Sequence, residues 1–275
     1  MAEWEPSVGM VCRSWEIGGE ELLGQRGGLE KYKRTGSTFG IPLLHPWANR
    51  LDRDIDSPLV RHDPNGLPIH GVLAASPYWQ VIEHTDERVA ARLDFGAHPE
   101  YLEVFPYPHE IEVDVRIEPR AQTIATRIHP TGAIAVPIAF GWHPYVQIPG
   151  APRQDWDLTL PVREHLKLDE RGIPTGEAEP VDYPDPLRLG DRAFDDGYAG
   201  LSDGTTFAVA AGDRRVEVEF TRGYPYAQVF APPAEEVVCF EPMTAPTNAL
   251  ASGQGLRKVE PGDEFEAVVT LRAMP

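Results

Sequence analysis

Glu110-Ile111-Glu112-Val113-Asp114-Val115-Arg116-Ile117 alternates polar and apolar side chains without a break. A period of two belongs to a strand, whose successive side chains point to opposite faces, so the segment predicts a strand with one wet and one buried face. Arg215-Val216-Glu217-Val218-Glu219-Phe220 repeats the pattern. Val237 to Phe240 and Ala267 to Leu271 are more continuously apolar and predict more deeply buried strands, and Val136 to Phe140 predicts another. Helical patterning is scarce, because 28 prolines and 25 glycines leave few windows that could hold three uninterrupted turns. The reading is an all-β chain built as a large antiparallel sandwich or barrel.

All-β units commonly run to about 200–250 residues as one domain. The 275 residues are therefore read as a single domain over 1–275. No internal repeat or low-complexity tract interrupts them, and the Pro/Asp-rich stretch Glu177 to Asp191 is expected to be a long surface loop.

The formal charge of −18 comes from 43 acidic against 25 basic residues, with no basic block dense enough to follow a phosphate backbone. Nucleic acid is excluded as a partner, and a neutral small molecule is favoured over an anionic one. Cys12 and Cys239 fit neither a disulfide framework nor a CxxC metal motif and are read as free thiols. No apolar run approaches the roughly 18 residues of a membrane span, and the acidic N-terminus is unlike a signal peptide. The expectation is a cytoplasmic chain with no membrane partner.

Two imidazoles, a carboxylate and a guanidinium stand in four short islands far apart in sequence: Asn49-Arg50, His70-Gly71, Gly141-Trp142-His143-Pro144-Tyr145 and Glu241-Pro242-Met243-Thr244-Ala245-Pro246. They converge only if a folded cleft collects them. His143, just past the Val136–Phe140 strand, is expected at a sheet end and suits a general acid; a hydrogen-bonded core histidine fits the same residue. Glu241 is expected where the strand Val237–Phe240 stops, either as a tuned general base or as a strand-end carboxylate. His70 follows a turn and can donate to a substrate oxygen or lie in a surface loop. Arg50 beside Asn49 suits recognition of adjacent hydroxyls, or a structural salt bridge. Asp195 and Asp196 can each accept from sugar hydroxyls or sit in a solvated turn.

Read together, these islands resemble the aldose 1-epimerase (mutarotase) family. The resemblance spans residues 9 to 273 and is carried by Gly40-Ile41-Pro42-Leu43-Leu44 leading to Asn49-Arg50, by Pro68-Ile69-His70-Gly71, by Phe140-Gly141-Trp142-His143-Pro144-Tyr145, by Phe194-Asp195, by Gln228-Val229-Phe230 and by Glu241 to Leu250. It implies a β-sandwich of the galactose mutarotase type, interconversion of the α and β anomers of a free aldose, and no cofactor and no metal. It further implies Glu241, His143 and His70 as catalytic residues, with Asn49, Arg50, Asp195, Gln228 and Tyr145 holding a small-molecule sugar in a monomer or homodimer. The chain departs from the family at His45, where many relatives carry an aromatic residue, and at Asp196, where many carry histidine. Trp47, Trp79 and Trp142 are candidates for a pyranose platform or for core.

Three other readings remain open from the sequence. A hexose-6-phosphate 1-epimerase would use added cations such as Arg53 and Arg61 for the phosphate. A carbohydrate-binding protein of the same fold would have no catalytic role. A metal enzyme would use His70, His143 and Glu241 as ligands.

Overall fold

Two antiparallel sheets face each other in the computed structural model, which describes residues 1–274. The nine-stranded sheet runs, from edge to edge, through Leu187–Arg188, Asp157–Thr159, Thr205–Ala211, Arg214–Arg222, Phe265–Met274, Ala121–Pro130, His109–Glu118, Arg88–Asp94 and Gln80–His84. The eight-stranded sheet runs through Pro174–Pro180, Glu164–Leu168, Phe194–Ala199, Tyr226–Ala231, Val238–Met243, Gly141–Trp142 and Leu43–Leu44, with Tyr145–Val146 also pairing Val238–Met243. This is the expected large antiparallel sandwich.

The period-two segment lies inside His109–Glu118, in register with Arg88–Asp94 on one side and Ala121–Pro130 on the other. Ile111, Val113 and Val115 are fully buried. On the opposite face Asp114 is covered as well, because the Arg88 guanidinium grips both its oxygens at 3.0 and 2.9 Å. The ion pair satisfies a carboxylate that would otherwise be costly to cover.

The sheets meet in one extended core. Phe207 from the nine-stranded sheet stacks on Phe240 from the eight-stranded sheet with centroids 5.5 Å apart. Trp142 reaches across the gap, its Nε1 donating to Thr126 Oγ1 at 3.0 Å. Trp47, Trp79 and Trp142 are all buried, so all three are core and not a sugar platform. Cys12 and Cys239 are buried free thiols.

Two expectations need correction. The stretch from Glu177 to Asp191 is not one loop: the strand Pro174–Pro180 occupies its start, and Leu187–Arg188 pairs with Asp157–Leu158. Its prolines fall at a strand end and between strands, where a missing donor costs no ladder bond. Glu241 does not mark a strand end either, because Val238–Met243 continues through Pro242, which still sits opposite Ala227. A proline removes one N–H from a ladder without ending the pairing around it.

Phe240 points into the sandwich, so strand alternation sends Cys239 and Glu241 to the outer face of the eight-stranded sheet. Among the described residues, no helix is long and apolar enough to cross a membrane.

Candidate active site

Strand register brings the first three candidates together. Gln228 is opposite Glu241, and Asp195 lies on the next strand opposite Phe230, so three residues spread over the sequence occupy one face of three neighbouring strands. Gln228 Nε2 donates to Asp195 Oδ1 at 2.8 Å. With strands about 4.8 Å apart, the group reaches across roughly 10 Å of the sheet.

His143 occupies the gap between Gly141–Trp142 and Tyr145–Val146, and its N–H donates to Pro42 O at 3.1 Å. Trp142 turns into the sandwich, and the next side chain turns outward. His143 Nε2 thereby comes within 3.3 Å of Glu241 Oε1, with side-chain exposures of 5% and 2%. Burial, with the nearby Asp195 charge adding and Arg50 opposing, holds the Glu241 carboxyl well above the usual range. Burial, then the charges of His70, Arg26 and Arg61, hold the His143 imidazole well below its usual value. Both shifts favour neutral groups, so one exchangeable proton serves the pair and its net charge is zero.

His70 and Gly71 both adopt left-handed backbone, φ +67° and +71°. A Cβ on Gly71 would lie 2.1 Å from His45 O, so only glycine fits. The turn aims the His70 ring at His143, with centroids 5.4 Å apart and the rings edge to face. Asn49 N donates to His70 Nδ1 at 3.3 Å, which leaves Nε2 carrying the proton of the neutral ring. Burial first, then Arg61, Arg50 and Arg26, bring the His70 pKa down to about 3.

Arg50 is held by its neighbours. Its Nε donates to Asp63 Oδ2 at 2.8 Å, Nη2 to Asp195 Oδ2 at 3.0 Å, and Nη1 to Asn49 Oδ1 at 3.4 Å. Of the two uses open to it in the sequence, the salt bridge is present. Asn49 itself sits at φ +58°, and its Oδ1 accepts from Arg50 N at 2.9 Å.

Tyr145 is fully buried, and its hydroxyl meets Thr38 Oγ1 at 2.7 Å, Arg26 Nη1 at 2.9 Å and His143 Nε2 at 3.1 Å. A phenol has one donor and two lone pairs, so three partners leave nothing for a sugar hydroxyl. Tyr145 therefore sits behind His143 and differs in this from the expected sugar contact.

The two departures from the family pattern lie outside this geometry. The His45 ring packs among Phe95, Phe105 and Phe140, and its Nε2 meets His109 Nε2 at 2.8 Å. Asp196 points to the other side of its strand from Asp195 and faces His165 Nε2 at 3.1 Å. Among the described residues, no three His, Cys, Asp or Glu side chains cluster as a metal site.

Sequence reading missed Asp63, Thr38 and Arg26. Asp63 had a local signal in Asp63-Pro64-Asn65-Gly66, where a turn aspartate caps backbone; here Oδ1 accepts from Asn65 N and Leu67 N, both at 2.9 Å, and Oδ2 is free for Arg50. Arg26 stands in the glycine-rich run Gly24 to Gly28 and has no periodic signal at all.

The sequence profile of the family described as Aldose 1-epimerase matches residues 7–272. The chain is 23% identical over 245 residues to the uncharacterized protein YihR of Escherichia coli (strain K12), an alignment covering 81% of this chain and 77% of YihR. A galactose mutarotase-like protein from Clostridium acetobutylicum superposes with a TM-score of 0.85 at 19% identity, covering 99% of this chain and 91% of that one. A galactose mutarotase related enzyme from Lactobacillus acidophilus gives a TM-score of 0.80 at 19% identity, covering 100% and 98%. At such identities the structural likeness carries the fold, while the profile match runs through every island that forms the site. On that match the chain belongs to the aldose 1-epimerase family.

Proposed function

We propose that the protein is an aldose 1-epimerase that interconverts the α and β anomers of a free aldose. The observation that carries this reading is the buried contact of 3.3 Å between His143 Nε2 and Glu241 Oε1. Glu241 takes the proton from the C1 hydroxyl while His143 gives one to the ring oxygen. The C1–O5 bond breaks, C1 becomes an aldehyde, and C5 is left with a hydroxyl. In this step the pair passes from carboxylate and imidazolium to carboxylic acid and neutral imidazole, the form that burial favours.

Rotation about C1–C2 presents the other face of the aldehyde, and closure returns both protons along the same routes. The two ends of the reaction are tautomers of one neutral pair, so neither direction requires a net charge to be created in the buried site. His70 Nε2–H supports the ring oxygen or a neighbouring hydroxyl. Asp195, Gln228, Asn49 and the remaining N–H groups of Arg50 hold the other hydroxyls. An acid and a base contributing about 10²–10⁴ each suffice for a reaction that proceeds unaided in water. No cofactor enters the scheme.

A second reading, a hexose-6-phosphate 1-epimerase, is favoured by one observation: Ile69 N donates to Arg61 O at 2.9 Å, which sets a cation-bearing residue beside the His70 turn. Arg53 supports it less, because it lines a separate apolar cavity of about 220 Å³ with Trp47 and Phe105.

Polarimetry on freshly dissolved α-D-glucose and α-D-galactose tests the proposal. Wild type should accelerate relaxation to the anomeric equilibrium, and Glu241→Gln should not. If neither free sugar responds but a 6-phosphate does, with Arg61→Glu raising KM for that sugar alone, the second reading replaces the first. Saturable sugar binding without acceleration on any of them would make the protein a carbohydrate-binding member of the family.

A further inference from the structure

A histidine that moves protons usually has its ring orientation and tautomer set by a hydrogen bond on its second nitrogen. His143 Nδ1 is buried and has no hydrogen-bond partner in the protein. Its polar contacts are all at Nε2, so the plane of the ring is set by packing. The Tyr145 ring lies against it with centroids 4.2 Å apart and planes within 9°. His70 and Phe230 touch it edge to face, at 5.4 and 6.0 Å, and fix its plane less tightly.

Tyr145 is itself clamped. Its N–H donates to Gly40 O at 2.9 Å, its carbonyl accepts from Gly24 N at 2.8 Å, and its backbone pairs with Cys239. Arg26 lies over its ring with Cζ 4.9 Å from the centroid, and donates to the phenol oxygen. Arg26 is anchored in turn by Glu235, Nε to Oε2 at 2.7 Å and Nη2 to Oε1 at 3.0 Å, and by Thr38 O. Its backbone is held at φ +47°, a region that a non-glycine residue occupies only when surrounding contacts impose it.

We propose that Tyr145 and Arg26 are positioning residues acting through His143: the tyrosine ring fixes the imidazole plane, and the guanidinium biases the shared proton toward Glu241. The charged and titratable groups around His143 are Glu241, His70, Arg26 and Arg61, with Tyr145 and Cys239 beneath, Glu235 paired to Arg26 behind them, and Asp195 and Arg50 beside Glu241. Arg26 Nη1 donates to the Tyr145 hydroxyl at 2.9 Å and that hydroxyl meets His143 Nε2 at 3.1 Å, so the guanidinium reaches the pair from the imidazole side, whereas Asp195 and Arg50 act on Glu241. The Arg26 charge therefore discriminates between the two ends of the pair. The consequence for rate rests on the epimerase reading; the stack and the proton bias do not.

The test is ¹⁵N NMR titration of the His143 imidazole in the full chain, for wild type, Arg26→Met, Arg26→Gln and Arg26→Lys. Removing the charge should raise the His143 midpoint by at least about half a pH unit, while Arg26→Lys should titrate with wild type. Arg26→Gln keeps a donor for the tyrosine hydroxyl, which separates charge from the hydrogen bond and provides a second folded variant. Unchanged midpoints in Met and Gln variants, or a Lys variant that shifts with them, would overturn the proton bias. Tyr145→Leu should lower kcat at least tenfold with little change in KM, and Tyr145→Phe, which keeps the ring, should lower it less; a Leu variant at wild-type rate would overturn the stacking role. Because the titration needs no turnover, a chain that epimerises no sugar would sink the epimerase reading and leave the proton bias decided by NMR.

Discussion

Glu241 Oε1 and His143 Nε2 approach to 3.3 Å with their side chains almost wholly removed from solvent. Each is displaced toward its uncharged form, chiefly by burial, and only one proton separates carboxylic acid with imidazole from carboxylate with imidazolium. This balance has a cost in stability, because an ionisable carboxyl is kept protonated inside the fold.

That cost is measurable as a pH dependence. The Glu241 carboxyl is raised above its ordinary value of 4.5. Between that value and its folded pKa, the unfolded chain releases a proton that the folded chain retains, so this group makes stability fall as pH rises. Glutamine has no such proton. Glu241→Gln should therefore raise the urea midpoint relative to wild type, and the gain should be larger at pH 8 than at pH 5; a gain that shrinks with rising pH would contradict the buried neutral carboxyl.

Gly71→Ala should damage both fold and site. A Cβ there meets His45 O at 2.1 Å and His45 C at 2.3 Å in a backbone held at φ +71°. We expect a loss of about 3 kcal/mol or more in urea unfolding, together with loss of the His70 orientation. A stable variant with wild-type turnover would show that the turn relaxes without cost.

The His45–His109 contact should make the protein acid-sensitive. His109 Nδ1 donates to Tyr107 O at 2.6 Å, so its Nε2 must accept from His45 Nε2–H at 2.8 Å. Burial brings His109 down to about 4 and, helped by the His109 charge, puts His45 well below 6.5. Between about 4 and 6.5 the unfolded chain binds more protons than the folded one, so stability falls as pH falls through that window. His45→Phe leaves an acceptor unpaired at pH 7, at about 1–3 kcal/mol, but removes one of the two depressed imidazoles. Wild type and variant should thus differ most at pH 7 and converge toward pH 4.5 in urea unfolding.

Arg50→Met should strip the cation from Asp63, whose side chain is only 2% exposed. A loss of about 2–4 kcal/mol is expected, and Arg50→Met with Asp63→Asn should recover most of it. Asp195 also loses a partner, so KM for the sugar should rise more than kcat falls. Additive losses in the double variant would mean that the pair is not coupled.

Which parts of this were readable beforehand follows from the range of each signal. The alternation from Glu110 to Ile117 is local and predicted its strand almost to the residue, within His109–Glu118. The islands around His143 and Glu241 are also contiguous, so their chemistry could be read as words. Proline misled the reading at Pro242 and between Glu177 and Asp191, because a missing donor is compatible with pairing when the ladder does not need it.

Residue order alone carries a β-rich chain with alternating faces, two cysteines too far apart to form a motif, and an inventory of acid, base and amide groups matching one family. Folding was needed to set Gln228 opposite Glu241, to tie Arg50 to Asp63 and Asp195, to put Tyr145 behind His143, and to bring Arg26 to Tyr145 from a glycine-rich turn. The physical reason is that strand periodicity is written residue by residue, whereas register and cross-chain packing arise from contacts between segments a hundred or more residues apart. Burial, which sets the proton balance of His143 and Glu241, exists only once those segments have closed over the pair.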